Sequence, residues 1–196
     1  MTTTEFDALL HSTHERFLDA ARHSGLVDLA VTTIESPVGS LLVAATDTGL
    51  VRIAFEREGF DAVLEQLAAT VSPRVLELRT PLLDRAADAL QAYFDGADGS
   101  FDLPLDLRLA RGPFRREVLA LLPTIPVGQT RTYAELAQLA GRPAATRAVG
   151  TGCATNPLPL VLPCHRVVRT GGALGGYLGG LDRKAWLLEH ERAMVA

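Results

Sequence analysis

Hydrophobic positions along this chain follow two periods, and the changes of period mark its elements. Phe6, Leu9, Leu10, Phe17 and Leu18 recur loosely at helical spacing, which predicts a helical extension over residues 1–28. Short apolar runs follow at 29–34, 41–45 and 51–55. Pro37-Val38-Gly39 and Asp47-Thr48-Gly49 punctuate them, so the runs predict antiparallel strands joined by tight turns. Val63, Leu64, Leu67, Ala68 and Val71 return to helical spacing. Thr80-Pro81 reads as an N-cap followed by proline at the first helical position. Leu82, Leu83, Ala86, Ala87, Leu90 and Phe94 form the apolar stripe of that helix, and Gly96 and Gly99 end it. Pro104 and Gly112-Pro113 place a linker within residues 101–113.

The pattern beyond the linker is more helical. Phe114, Val118, Leu121 and Leu122 predict a short helix. Thr132 and Glu135 have the spacing of a capping box, Leu136, Leu139 and Ala140 continue the helix, and Gly141-Arg142-Pro143 stops it. A further helix follows over 144–154, so the pair is a helix-turn-helix candidate. Ala144, Ala145, Ala148, Gly150, Gly152 and Ala154 are all small. Two readings fit them: tight packing on another helix, or close approach of the helix to a groove of DNA. Residues 181–192 predict a last helix, with Leu181, Ala185 and Leu188 on its apolar face.

Composition changes this picture little, but charge changes it a great deal. Hydrophobic residues make up 47% and charged residues 21% of the 196 positions, a globular balance that excludes a disordered chain. No stretch approaches the ~20 apolar residues that span a bilayer. Residues 1–22 hold no apolar core of a signal peptide, and two cysteines cannot form a disulfide scaffold. The expectation is a cytoplasmic protein with reduced thiols and no membrane partner. The formal net charge of −4 argues at first against nucleic acid. Residues 1–110, however, carry 8 Arg against 18 acidic residues, a net −10. Residues 111–196 carry 10 Arg and Lys184 against 5 acidic residues, a net +6. Such asymmetry suggests an acidic module joined to an anion-binding one, although two solvated faces of one domain also fit.

The chemistry-bearing segment is Pro163-Cys164-His165-Arg166-Val167-Val168, reached through the apolar run 156–162. A thiol acts as a nucleophile in its thiolate form, and a nearby imidazole can take the proton. His165 is adjacent in sequence, but neighbouring side chains in extended backbone point to opposite faces, so a bridging water is as good a geometry as direct contact. An inert buried cysteine is the competing reading of Cys164. Glu191 falls four residues after Leu187 and three after Leu188, within an apolar stripe. It is either a carboxylate that orients a histidine or a solvated residue on a fraying end. Six of the twelve residues 169–180 are glycine, without a phosphate-loop or dinucleotide pattern, which reads as a pocket-shaping loop with Tyr177 as a flat wall.

The hexapeptide resembles the active-site signature of the O6-alkylguanine-DNA alkyltransferases, also called methylated-DNA–protein-cysteine methyltransferases. The resemblance extends over most of residues 101–193. It includes Gly112-Pro113-Phe114, Pro126-Val127-Gly128, Thr132-Tyr133, Arg147-Ala148-Val149-Gly150, Asn156-Pro157, Gly175-Gly176-Tyr177 and Leu187-Leu188-Glu189-His190-Glu191, in order. The fold it implies has two parts after the extension. Residues 29–107 form an α/β domain, a small antiparallel sheet with helices of the ribonuclease-H-like kind. Residues 108–196 form a mostly α winged-helix or helix-turn-helix domain. The resemblance implies a single-turnover DNA-repair transferase with no cofactor and no metal. Cys164 takes the alkyl group from O6-alkylguanine, with O4-alkylthymine as a further candidate. His165 deprotonates it through a water and Glu191 orients His165. Tyr133 donates a proton to the leaving guanine, and Asn156 braces the cysteine loop. Val167, Tyr177, Leu178, Pro159 and Cys153 lie around the base. The target base must leave the duplex, and Arg147 takes its place. Arg147, Thr132, Ala148, Gly150 and Arg166 then form the surface on double-stranded DNA, read from the minor groove by a monomer or by molecules cooperating along the duplex.

Leu178 departs from the family pattern, where many relatives carry a polar residue able to bond the guanine. Cys153 is either a second, slower thiol or a small packing residue. His11 and His14 have no cysteine nearby, so no metal site is expected there. Two other functions compete: a non-catalytic protein that recognises alkylated bases, and a Cys-His hydrolase unrelated to DNA.

Overall fold

The computed structural model describes residues 27–97 and 99–196, together with residues 6, 9, 12, 13, 16, 20, 21 and 25. Leu10, Phe17, Leu18, His11 and His14, named in the predicted extension, lie outside the described residues. Strands β1 (Leu29–Ile34), β2 (Leu41–Ala45) and β3 (Leu50–Phe55) form the antiparallel meander that the apolar runs predict. A fourth strand, β4 (Val75–Glu77), joins it parallel to β1, so the sheet is mixed, in the order β3-β2-β1-β4. Both faces of this sheet are covered, and the strands therefore bury both alternating sets of side chains. Leu29, Val31, Leu42, Ala44, Val51 and Ala54 pack against Val63 and Leu67 of α1 (Phe60–Thr70). Ala30, Leu41, Val43, Ile53 and Phe55 face the opposite way, towards Leu83, Ala86 and Leu90 of α2 (Pro81–Phe94).

Local capping signals set the helix starts. Thr80 accepts a hydrogen bond from the Leu83 amide with Pro81 in the first turn, which leaves one fewer orphan donor at the start of α2. After α3 (Pro113–Leu121), Thr132 and Glu135 form the full capping box of α4 (Tyr133–Leu139). A turn through Gly141, at φ 67°, leads into α5 (Thr146–Ala154). A two-residue strand, β5 (Arg131–Thr132), pairs in parallel with β6 (Val167–Val168) and ties the start of α4 to the segment after Cys164. The chain closes with α6 (Leu181–Met194).

One expectation needs correction and one gains detail. Residues 101–113, the expected linker, are pinned to β3 over part of their length. The Leu50 amide donates to the Pro104 carbonyl at 2.8 Å and the Asp106 amide to the Leu50 carbonyl at 2.7 Å. Asp106 is buried beneath Thr46, whose hydroxyl donates to it at 2.7 Å. The buried face of α6 is Lys184, Leu187, Leu188 and Glu191, while Leu181 and Ala185 are exposed. Glu191 turns inward as its spacing to Leu187 and Leu188 predicts, and Lys184 joins that face because the Val167 carbonyl supplies its partner there.

The two halves share one core. A single cluster runs from Leu41, Phe55 and Leu90 to Val118, Leu136, Val149, Leu160, Cys164 and Leu187. The Ile53 amide donates to the Pro157 carbonyl at 2.8 Å, so the sheet edge holds the loop that carries the cysteine.

Candidate active site

Cys164 emerges from a loop clamped by one side chain. Asn156 is 1% exposed; its amide donates to the Leu162 carbonyl at 2.7 Å and its oxygen accepts from the Leu158 amide at 3.0 Å. Within that clamp Leu160 takes φ 75°, a left-handed conformation that costs a branched residue about 1–3 kcal/mol and persists where surroundings over-determine it. The Cys164 amide donates back to the Leu162 carbonyl at 2.7 Å, and a 3-10 turn, Cys164–Arg166, follows. Burial pushes the Cys164 thiol up, against the opposing pull of the Asn156 amide and the Lys184 ammonium. At rest the sulfur is therefore a thiol.

His165 follows directly in the chain. His165 is fully buried, and its Nε2 lies 2.7 Å from Oε1 of Glu191. Burial lowers the imidazole pKa despite that carboxylate, so the ring is neutral. Nε2 then donates to Glu191 and leaves Nδ1 as a lone pair. That Nδ1 is buried and has no protein partner, so it is free to receive a proton.

Glu191 is held from several sides. Arg166 donates to both carboxylate oxygens through Nε, at 3.1 and 2.9 Å, and again to Oε1 through a terminal nitrogen at 3.0 Å. The Gly128 amide donates to Oε2 at 3.2 Å, and the Tyr93 hydroxyl donates to Oε1 at 2.9 Å. Burial alone would raise the acid; His165 and Arg166 outweigh it and hold the carboxyl at about 2. Arg166, expected on the DNA surface, is instead 4% exposed, and its other terminal nitrogen donates to the Ile125 carbonyl at 2.6 Å. An interior carboxylate needs a counter-charge, and Arg166 is the one within reach.

Around this row stand the other expected residues. The Val167 carbonyl accepts from the fully buried Lys184 ammonium at 2.6 Å. Tyr133, at the first position of α4, is half-buried; burial, with both cysteines adding to it, lifts its hydroxyl to about 12. The Tyr177 ring lies 6.3 Å from the His165 ring and 5.5 Å from Phe55, and its hydroxyl is buried without a partner. Pro159 is buried within the clamped loop. Leu178 lines a cleft with Asn156, Pro157, Arg52 and Glu58.

The small residues on α5 divide between a packed and an exposed face. Gly152 faces Val118 of α3, where a Cβ would stand 3.2 Å from the valine methyl, and Cys153 is buried. Ala148, Thr151 and Ala154 are exposed with Arg147, and Gly150 is half-buried. Thr132 is committed to capping α4. Among the described residues no group of three or more His, Cys, Asp or Glu could hold a metal ion, and no helix is long and apolar enough to cross a membrane.

The sequence reading missed Tyr93, Gly128 and Lys184. Lys184 carried a usable signal, since its spacing to Leu187, Leu188 and Glu191 puts it on one helical face. Gly128 stands in the Pro126-Val127-Gly128 landmark without any sign of its bond to Glu191, and nothing local marks Tyr93.

Residues 29–107 match the family model for the ribonuclease-like domain of 6-O-methylguanine DNA methyltransferase, and residues 113–193 match that for its DNA-binding domain. A methylated-DNA–protein-cysteine methyltransferase of Mycolicibacterium paratuberculosis is 41% identical over 160 residues, covering 82% of this chain and 90% of its own. The Homo sapiens protein of that name is 38% identical, covering 82% of this chain and 79% of its own. The crystal structure of Mycobacterium tuberculosis O6-methylguanine methyltransferase superposes with a TM-score of 0.71 at 35% identity, over 85% of this chain and 94% of that one. The Mycobacterium tuberculosis OGT structure in complex with DNA gives 0.70 at 38% identity, over 84% and 94%. Both parts of the fold and most of the chain's length share one ancestry: this chain belongs to the 6-O-methylguanine DNA methyltransferase family.

Proposed function

We propose that this chain repairs alkylated DNA by moving the alkyl group from the O6 of guanine onto Cys164, once per molecule. The observation that carries the reading is the buried Cys164 next in the chain to the buried His165–Glu191 pair, with Nδ1 of a neutral His165 left free. The Cys164 proton passes through a water to that nitrogen. The thiolate then attacks the alkyl carbon; a carbon–sulfur bond forms as the carbon–oxygen bond breaks, and the electron pair goes to the guanine ring. Tyr133, held protonated at neutral pH, supplies a proton to the leaving base, and the His165 proton restores the balance. The net change moves one proton from sulfur to guanine. The thioether has no good leaving group, so the protein is consumed.

Double-stranded DNA is the partner, and the exposed face of α5 is the surface proposed to meet it, from the minor groove. Its small residues permit close approach, and the basic charge of residues 111–196 supplies affinity for phosphate. Arg147 fills the gap left by the flipped base. Arg147→Ala is expected to slow repair of duplex DNA on the order of tenfold or more, since unstacking costs a few kcal/mol. Repair of the free base should be nearly unchanged; equal loss on both substrates contradicts the role.

Tyr133 offers a second test. A Cβ added at Gly175 would collide with the Tyr133 phenol ring and hydroxyl. Gly175→Ala should displace the proton donor and slow transfer on the order of tenfold. A normal rate on both DNA and free base would remove Tyr133 from the mechanism.

The reading as a whole is tested with duplex DNA carrying O6-methylguanine and mass spectrometry of the intact protein. Gain of one methyl group, mapped to Cys164, is the expected result. Binding without gain would favour a recognition protein, and neither binding nor gain would overturn the reading.

A further inference from the structure

We propose that Tyr93 is a positioning residue for the Cys164–His165–Glu191 row, through which the N-terminal domain sets the basicity of His165. This rests on the alkyl-transfer reading above. Tyr93 lies in α2, 98 residues away from Glu191 in sequence, and is fully buried. Its hydroxyl donates to Oε1 of Glu191 at 2.9 Å. That is the same oxygen that accepts from Nε2 of His165 at 2.7 Å. The two donors therefore share one acceptor atom.

The rest of Tyr93 is placed to hold this bond. Its ring lies 5.2 Å from Phe94, 5.7 Å from Phe101 and 5.5 Å from His190. Nε2 of His190 lies 2.8 Å from the Tyr93 carbonyl, so α6 grips the tyrosine from the residue beside Glu191. Burial and the neighbouring carboxylate push the phenol far up, so it stays a donor.

The consequence follows from charge. A hydrogen bond to a carboxylate oxygen draws off part of its negative charge, and less then remains to stabilise an imidazolium at Nε2. Tyr93 thus keeps His165 less basic than an unshared Glu191 would make it. The other ionisable groups that face the row are Arg166 and Cys164 on the 3-10 turn, Lys184 on α6, and Tyr177 on the glycine loop, itself close to Glu58. Arg166 and Lys184 also lower His165, and Glu191 is the anion that raises it. Tyr93 is the neutral donor by which the acidic half reaches that anion.

Tyr93→Phe keeps the ring and removes the bond. His165 is followed by nitrogen NMR of the imidazole in the full chain, and transfer from O6-methylguanine DNA is timed across pH. The His165 midpoint is expected to rise by about half a unit to one unit, and the acid limb of the rate to rise with it. Below the limb the rate should fall about threefold to tenfold; on the alkaline plateau it should match the parent. Replacing Tyr93 with 3-fluorotyrosine makes the phenol a stronger donor, and both midpoints should move down. A uniform loss of rate at every pH with an unmoved His165 midpoint would reduce Tyr93 to packing and overturn the proposal. The NMR midpoint is independent of repair: absence of transfer in the parent would fell the alkyl-transfer reading while leaving the coupling measurable.

Discussion

Cys164→Ala is expected to abolish alkyl transfer while leaving binding to duplex DNA intact. The substitution removes the sulfur and nothing else in the clamp: Asn156 still holds the Leu162 carbonyl, and the backbone bond from residue 164 to Leu162 remains. The exposed face of α5, with Arg147 and Ala148, does not include Cys164. Cys153 does not stand in for it in this variant, because burial, which the substitution leaves in place, pushes the Cys153 thiol far up. Since thiolate is the nucleophile, Cys153 reacts slowly if at all. The measurement is the mass of the protein after incubation with O6-methylguanine duplex, beside a gel-shift titration with the same duplex. Transfer should fall by at least a thousandfold, on the order expected when a covalent nucleophile is removed. A methyl group gained by Cys164→Ala at the parent's rate would assign the acceptor elsewhere.

How much of this was legible in the sequence divides along a physical line. Starts of α2 and α4 were readable because caps are local: Thr80-Pro81 and Thr132 with Glu135 act within three residues. Strand β4 was not readable, because three residues cannot show a period and Val75–Glu77 is a strand only by pairing with β1 across the sheet. The buried face of α6 was legible at Glu191, whose spacing to Leu187 and Leu188 puts it inward, and was missed at Lys184, which looks like a solvent-facing charge. Lys184 turns inward because the Val167 carbonyl meets it there. For the same reason Arg166 was expected on the DNA surface. Charge tells where a side chain wants a partner; only the fold tells whether that partner is phosphate or an interior carboxylate. Tyr93 sits furthest from the sequence signal, since its hydroxyl matters through a residue in the other half of the chain.

Glu191→Gln should be the most destabilising single change at the site. The carboxylate is fully buried and is the counter-charge for the Arg166 guanidinium, itself 4% exposed. An amide cannot neutralise that cation, and its NH2 group would face the donors of His165, Arg166, Tyr93 or Gly128. Breaking a buried ion pair by removing one partner costs about 3–5 kcal/mol. For a chain of this size that lowers the melting temperature by roughly 6–20 °C. The same magnitude is reached from the acid side. Glu191 is held at about 2 against an ordinary 4.5, and a depressed carboxylate stabilises the fold fully above its unfolded value. That stabilisation, about 3 kcal/mol at order of magnitude, is lost as pH falls from about 4.5 through about 2. Urea unfolding at pH 7 should therefore show the variant well below the parent, and the gap should close as both are taken down through that window. A variant as stable as the parent at pH 7 would mean that Arg166 finds another anion or water when Glu191 is neutralised. A gap that persists at pH 2 would assign the loss to packing rather than to charge.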